Sequence, residues 1–170
     1  MKYDYCPKCG SKLIQKQAGD DGKVPYCESC EKYWFDSFST CVIVLVYNEF
    51  NEIALLKQLY LSDKYNVFVA GYMQVGESAE KAATREVKEE LGIDVEKIEY
   101  ADSVWFEKGQ NLMLGFLAFA KKQEFKLSKE VDSASWVKYS EVPNTLFPDS
   151  PENAAWTIYR KYLEKLIINS

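Results

Sequence analysis

The chain of 170 residues contains no histidine. Histidine is the side chain most often used for acid–base catalysis near neutral pH. Its absence excludes Ser-His-Asp and Cys-His nucleophilic sites, and it excludes every metal site that needs an imidazole ligand. An enzyme built from this chain must therefore use carboxylates, thiolates or a bound cation for its chemistry.

Long hydrophobic runs and an excess of positive charge are also missing. The longest apolar stretches, residues 41–47 and 112–120, are too short to cross a bilayer, and no secretory signal opens the sequence. The 26 acidic residues outnumber the 21 basic ones and give a net charge of −5. We therefore expect a cytoplasmic protein with no membrane partner and no broad basic surface for a nucleic acid backbone.

The composition that is present is typical of a globular protein, and it changes near residue 36. Apolar residues make up 47% of the chain and charged residues 28%. Residues 1–36 carry turn signals and few aliphatic side chains, so they cannot form a core unaided. We expect a small N-terminal domain at 1–36 and a larger domain at 37–170.

The larger domain alternates strand and helix patterns. Hydrophobic periodicity predicts strands at 41–47, 52–59, 65–69, 95–106, 112–120 and 135–139, and helices at 78–91 and 155–167. Ser150 and Pro151 suit the N-cap and first turn of the last helix. Together the elements predict an α/β (α+β) fold in which helices pack against a mixed sheet.

Four cysteines form two pairs in the small domain, Cys6 with Cys9 and Cys27 with Cys30. Two such Cys-x-x-Cys knuckles can surround a tetrahedral Zn²⁺ with four thiolates, whereas local disulfides or a redox pair are the alternative. The segment resembles a zinc ribbon, in which the metal supplies folding energy that a small core lacks. Its lysines are offset by acidic residues, so we expect a structural role or a homodimer contact rather than nucleic acid binding.

One predicted helix places carboxylates where a core is expected. At about 100° per residue, Glu86 and Glu90 fall within the apolar arc formed by Ala79, Ala82, Ala83, Val87 and Leu91. Glu89 lies at the edge of this arc. Inward carboxylates are costly unless a partner neutralises them, and a hard divalent cation such as Mg²⁺ is a suitable partner in a chain without histidine. The preceding loop can add the Gly71 carbonyl oxygen as a further ligand.

The same segment matches the Nudix box at each specified position, as Gly71-x5-Glu77-x7-Arg85-Glu86-Val87-x-Glu89-Glu90-x-Gly92-Ile93. The chain therefore resembles the Nudix hydrolases. This resemblance implies an α/β/α sandwich. It also implies a Mg²⁺- or Mn²⁺-dependent attack of water on a nucleoside diphosphate that is linked to another group.

The resemblance also implies roles for single residues. It assigns the catalytic cation to Gly71, Glu86, Glu89 and Glu90. An ion pair of Arg85 with Glu77 or Glu89 is expected to orient these ligands instead of binding metal. The general base is expected to be Glu89 or Glu130, which resembles a late acidic position of several members. A solvated loop acid is the alternative for Glu130.

A zinc ribbon before a Nudix domain resembles the NADH pyrophosphatase subgroup, which cleaves NAD(H) and can remove NAD caps from RNA. The subgroup's signature after the box has three prolines that are absent from residues 103–111, although Ser103 and the following Leu112-Met113 pair are present. Ser103, Trp105 and Phe106 are the candidate substrate-binding residues, because the two rings could stack on a base. Strand residues that face the core are the alternative for the two rings.

The motifs indicate which partners to expect first. The expected substrate is NAD(H) or an ADP-ribose-like dinucleotide, followed by nucleoside triphosphates or other diphosphate conjugates. A nucleic acid is expected only through a capped RNA end. A non-catalytic nucleotide sensor is the competing class of protein, and the complete set of box glutamates favours an enzyme over it.

Overall fold

The computed structural model describes residues 3–151 and 153–168. The chain divides into two compact units, Met1–Phe38 and Ser39–Ser170. Three strands lie in the first unit: β1 (Ile14–Gln17), β2 (Lys23–Cys27) and β3 (Lys32–Tyr33). Six strands and two α-helices are described in the second unit: β4 (Ser39–Tyr47), β5 (Glu52–Lys57), β6 (Val69–Tyr72), α1 (Ala79–Leu91), β7 (Lys97–Phe106), β8 (Asn111–Phe119), β9 (Ser133–Lys138) and α2 (Ala154–Ile168).

The first unit is a small antiparallel sheet in the order β1-β2-β3. All four residues of β1 are exposed, so this strand contributes no core side chain. Among the described residues of this unit, the buried side chains are those of Cys6, Val24 and Cys27. Two of these three are cysteines, and the unit therefore depends on its cysteine cluster for packing.

The second unit is a mixed sheet that lies between two helices. Its strands run in the order β7-β8-β4-β5-β9, with β6 paired to β4, and β4 and β8 are parallel. Alternation along β4 directs Val42, Val44 and Val46 into a cluster with α1, whereas Ile43 and Leu45 join a cluster with α2. Both faces of β4 are therefore buried, as its continuous apolar run predicts, and the predicted α/β/α arrangement with a mixed sheet is confirmed.

The boundaries of α1 follow from its capping residues. The Ser78 side chain accepts a hydrogen bond from the backbone N–H of Lys81 at 3.4 Å, and Gly92 ends the helix with φ 70°. Ala82, Ala83, Val87 and Leu91 are buried together with Glu86 and Glu90. The helix thus has the apolar arc that the sequence predicts, with both carboxylates inside it.

Several predicted bounds differ from the structure by about two residues, and two differences concern the third strand and the cap of the last helix. The third strand was expected at 65–69, but β6 covers Val69–Tyr72, because residues 65–68 are held by single backbone bridges such as that between Leu56 and Val67. The last helix was expected at 155–167 with Ser150 and Pro151 at its N-cap and first turn; α2 does begin at Ala154, but Asn153 and not Ser150 accepts the capping hydrogen bond, from the Ala155 N–H. An Asn side chain provides the N-cap there.

Candidate metal and catalytic centre

Gly71 allows the Glu86 carboxylate to lie against a strand. In β6, Gly71 is paired with Val42 on β4, whose side chain faces α1. A methyl group on Gly71 would overlap all three atoms of the Glu86 carboxylate, so only glycine permits this contact. The sheet and the helix therefore bring the Gly71 backbone and Glu86 to one place.

Glu90 is the most deeply buried carboxyl group of the site, with 5% of its surface exposed. Its Oε2 atom has no hydrogen-bond partner within the described part of the chain. Burial, followed by the charges of Glu86 and Glu130, raises the pKa of Glu90 to about 8, although a hydrogen bond from the Ala70 backbone opposes the shift. An orphaned buried carboxylate oxygen is costly unless it has a partner, and a cation would be such a partner.

Arg85 connects three carboxylates in one network. Its Nη2 and Nε atoms donate to the two oxygens of Glu77 at 2.7 and 3.1 Å, and its Nη1 atom donates to Glu86 at 2.6 Å and Glu89 at 3.0 Å. A further bond from Nη2 reaches the Tyr72 carbonyl at 3.1 Å. The hydrogen bond from Arg85 lowers the pKa of Glu77 and keeps it ionised. Arg85 thus contacts both of the partners that the sequence suggested for it.

Glu89 and Glu130 differ from Glu86 and Glu90 in exposure. The Glu89 side chain is 56% exposed and lies at the edge of the helix face, as predicted. Glu130 is exposed, in a loop that is tied to the end of α1 by a hydrogen bond from the Ser128 N–H to the Glu90 carbonyl at 3.2 Å. The charge of Glu130 contributes to the raised pKa of Glu90. Both candidate bases are open to solvent water.

Two of the three predicted substrate-binding residues, Ser103 and Trp105, lie on the same side of the sheet as Gly71 but not beside the carboxylates. Paired positions run from Gly71 through β4 and β8 to Ser103 on β7. Three strand spacings separate the two ends of this row, which is about 14 Å. Trp105 follows on the same side, and its Nε1 atom donates to Glu107 at 2.6 Å. A site that used both regions would need an extended ligand.

Phe106 has a different environment. It ends β7 and is half-buried, and the turn at Gly109 passes so close that an added methyl group there would contact the Phe106 ring at 2.8 Å. Alternation along β7 directs its side chain away from the side that carries Trp105. The structure therefore does not place Phe106 with the other two candidate residues.

Asp132 supports the centre and had no signal in the sequence. Its carboxylate accepts a hydrogen bond from the Leu59 N–H at 2.6 Å, and its own N–H donates to the Lys57 carbonyl at 2.9 Å. These contacts hold the loop that carries Glu130 against the end of β5. The partners are more than 70 residues apart in the chain, so no local pattern could indicate the contact.

The four cysteines of the first unit form one cluster. Their sulfur atoms all lie within 4.8 Å of one another, and this is the one such group of Cys, Asp or Glu ligand atoms within residues 3–151 and 153–168. The Cys6–Cys30 and Cys9–Cys27 sulfur pairs are 3.9 and 3.5 Å apart, and all five cysteines are free. Disulfides are absent among these described cysteines, and four converging thiols fit the donor set of a tetrahedral Zn²⁺.

The box carboxylates are more widely spaced than the cysteines, but their chemistry fits a different cation. Mg²⁺ binds hard oxygen ligands and needs only one or two protein carboxylates, because water and substrate phosphate complete its coordination. Glu86 and Glu90 supply such oxygens, and Glu90 Oε2 is unpartnered within the described range. The single guanidinium of Arg85 pairs with Glu77, Glu86 and Glu89, whereas the charges of Glu86, Glu130 and Glu89 all act unfavourably on an ionised Glu90. The centre therefore fits a divalent cation.

The fold and this centre define an α/β/α protein with a carboxylate site on its sheet-facing helix. The model of the NUDIX domain family matches residues 38–159. The chain belongs to the NUDIX family. In the part of the chain that the structure describes, no helix is both long and apolar enough to cross a membrane.

Known relatives and structures agree with this family. The chain is 36% identical over 152 residues to "Nudix hydrolase 19, chloroplastic" from Arabidopsis thaliana, covering 84% of this chain and 34% of that protein. It is 31% identical over 140 residues to "NAD-capped RNA hydrolase NudC" from Photobacterium profundum, covering 82% of this chain and 51% of that protein. The chain thus spans about a third to a half of the length of these relatives.

A solved structure supports the fold alone. A NUDIX hydrolase from Nitrosomonas europaea superposes with a TM-score of 0.71 at 19% identity, covering all of this chain and 94% of that one. At this level of identity the likeness concerns the arrangement of strands and helices. The chemistry must be argued from the residues of this chain.

Proposed function

We propose that this chain hydrolyses the diphosphate bond of NAD(H) or an ADP-ribose-like dinucleotide with the help of Mg²⁺ or Mn²⁺. The observation that carries the proposal is the buried pair Glu86 and Glu90, because Glu90 keeps an oxygen without a partner among the described residues. Unpaired carboxylates in an apolar helix face are explained by a cation that they hold.

The residues of the centre would have different roles in the reaction. Glu86, Glu89 and Glu90, with the Gly71 carbonyl, would hold the cation, and Arg85 with Glu77 would keep Glu86 in position. The cation, when bound, offsets the phosphate charge and acidifies water. A carboxylate oxygen of Glu89 or Glu130 would accept the proton of the attacking water, since both groups are exposed. The oxygen of that water bonds to one phosphorus while the bridging P–O bond breaks.

The dinucleotide substrate is supported by relatives and by the extent of the site. A protein 31% identical to this chain is an "NAD-capped RNA hydrolase", so an NAD-related substrate, free or at an RNA end, is the first choice. The row from Gly71 to Ser103 and Trp105 is about 14 Å long, which suits an extended ligand better than a mononucleotide. Here Ser103 and Trp105 would contact the part of the substrate remote from the diphosphate.

A second substrate class is favoured by one local feature. Residues 103–111 lack the subgroup's three prolines, and the segment forms the end of β7 and a 3₁₀ turn at Glu107–Gly109, with Gln110 at φ 49°. A loop without prolines has more conformational freedom to lose on binding. Nucleoside triphosphates or other diphosphate conjugates are therefore the alternative substrates, and a nucleotide sensor remains the alternative class.

The proposal is tested with a nucleotide panel that includes NADH, ADP-ribose and nucleoside triphosphates, each with Mg²⁺ or Mn²⁺. We expect AMP to be released from NADH or ADP-ribose. The Glu89→Gln variant should lower kcat by about 10²- to 10⁴-fold, with KM changed less, because it removes a group that acts on the proton or cation. Glu164→Gln, on the outer surface of α2, is the matched control and should stay within about twofold.

Two results would contradict this proposal. If no diphosphate is cleaved with either cation, the chain is not a pyrophosphohydrolase and the sensor is favoured. If Glu89→Gln and Glu164→Gln have equal rates, Glu89 neither holds the cation nor accepts the proton, and the assigned role of Glu89 is wrong. Release of products from triphosphates alone would keep the enzyme and replace its substrate.

We also propose a location and a role for the first unit. Two Cys-x-x-Cys pairs at metal-binding spacing favour a reducing compartment such as the cytoplasm, where thiolates stay available to a metal. The four clustered cysteines would bind a structural Zn²⁺, and the unit they stabilise could contribute to a homodimer.

A further inference from the structure

Three exposed apolar residues, Leu59, Tyr60 and Leu61, form a turn directly after β5. Tyr60 is 71% exposed, and each leucine is more than half exposed. A run of three large apolar side chains in solvent is unfavourable for a free protein and commonly marks a binding surface. We call residues 59–61 the apolar turn.

Hydrogen bonds hold the apolar turn in one conformation. The Leu61 N–H donates to the Gln58 carbonyl at 2.9 Å, which closes the turn. The Leu59 N–H donates to the Asp132 carboxylate at 2.6 Å, and the Asp132 N–H donates to the Lys57 carbonyl at 2.9 Å. The backbone is therefore ordered before any ligand arrives, and side chains on such a turn bind at a lower entropic cost.

The same contacts bring the apolar turn to the carboxylate centre. Asp132, which holds the turn, is two residues from Glu130, and the Ser128 N–H is bonded to the Glu90 carbonyl at 3.2 Å. Burial raises the pKa of the Tyr60 phenol, and the charges of Glu90 and Glu130 raise it further. The backbone bonds at Asp132 and Ser128 therefore place the turn near the carboxylate centre, and most of the Tyr60 surface is open to solvent.

We propose that Tyr60 is a substrate-contacting residue that stacks against a heteroaromatic ring of the nucleotide. The inference rests on the proposed function, because it places the diphosphate of that nucleotide at the Glu86 and Glu90 carboxylates. An exposed aromatic ring offers a face on which any planar base can stack, and the two leucines extend this apolar surface. Tyr60 and Trp105 would then contact different ends of the substrate.

The inference is tested by equilibrium binding, which does not require turnover. Calorimetry would measure the affinity of the full chain, with Mg²⁺ present, for AMP and for nicotinamide mononucleotide. Ribose 5-phosphate is the matched probe, because it carries sugar and phosphate without a base. We expect Tyr60→Leu to weaken binding of AMP or nicotinamide mononucleotide about five- to tenfold, whereas Tyr60→Phe should stay within twofold because it keeps the ring. Binding of ribose 5-phosphate should not change.

A control variant separates the ring contact from general loss of surface. Phe50→Leu removes an equally exposed aromatic ring from the turn between β4 and β5, and it should bind all three probes as the parent does. Thermal unfolding of each variant would verify that the fold is kept. The inference is overturned if Tyr60→Leu binds both mononucleotides as the parent does, or if it loses ribose 5-phosphate equally. It is also overturned if the parent binds the base-free probe as tightly as the mononucleotides.

The two proposals can fail separately. A chain that cleaves dinucleotides but binds AMP and nicotinamide mononucleotide equally well without Tyr60 keeps the proposed function and loses this inference. A chain that cleaves nothing but binds a mononucleotide through Tyr60 keeps the ring contact and loses the proposed activity.

Discussion

At the scale of single residues, Gly71 is a position that tolerates no larger side chain without a shift of its neighbours. A methyl group there would occupy the space of the Glu86 carboxylate, so Gly71→Ala must displace either the strand or that side chain. We expect Gly71→Ala to lower the free energy of unfolding by about 1–3 kcal/mol, as measured by urea denaturation. The catalytic rate should fall too, since Glu86 is displaced.

A double-mutant cycle separates this contact from a general strand effect. In a Glu86→Ala background the overlapping carboxylate is gone, so Gly71→Ala should cost less than half as much stability as in the wild type. Equal destabilisation in both backgrounds would show that the glycine is needed for another reason.

At the scale of secondary-structure elements, one partly buried ion pair connects α2 to β7. Lys165 Nζ contacts Glu99 at 2.5 Å, and Lys97 contacts the other carboxylate oxygen of Glu99 at 2.6 Å. The hydrogen bond from Lys165, then that from Lys97, lowers the pKa of Glu99. Because the pKa of Glu99 is lower in the folded state than in the unfolded state, where it is about 4.3, the ionised group stabilises the fold at pH values above about 4.3. This contribution is lost as the pH falls through the pKa of the folded state.

We therefore expect Lys165→Met to destabilise the protein at pH 7 by about 0.5–1 kcal/mol, with its methylenes still packed. The difference from wild type should shrink as the pH falls below about 4, which urea titrations at several pH values would measure. Lys161→Met, which breaks an exposed pair with Glu164 on the same helix, is the control and should have a smaller effect. A difference that does not vary with pH would contradict the assigned role of Glu99.

Some features of the secondary-structure elements could be predicted from the sequence, and others could not. The helix with Glu86 and Glu90 on its buried side follows from a local 3.6-residue period, which is why its bounds and its inward carboxylates were predictable. The position of β6 and the contact of Asp132 with Leu59 depend on residues far apart in the chain, so local patterns do not contain them. The distance from Ser103 to Gly71 likewise required the order of the strands.

At the scale of the whole molecule, the two units differ in what stabilises them. The second unit has an apolar cluster on each side of its sheet, whereas the described core of the first unit consists of Val24 and two of its cysteines. Small units with so little core commonly fold around a structural metal, and the four clustered thiols fit zinc. We expect about one Zn²⁺ per chain in the purified wild-type protein.

Two cysteine variants test whether zinc is bound by the cysteines of the first unit. Cys27→Ser should retain well under half an equivalent of zinc by elemental analysis, and proteolysis should then cut within the first unit while the second unit resists. Cys41→Ser, which changes a buried thiol of β4 in the second unit, should keep the full equivalent. Because both substitutions replace a buried sulfur by oxygen, a loss of zinc confined to Cys27→Ser would reflect ligation rather than packing. Full zinc occupancy in Cys27→Ser would show that Cys27 is not a zinc ligand, and a wild type with less than about half an equivalent would contradict a structural zinc site in the first unit.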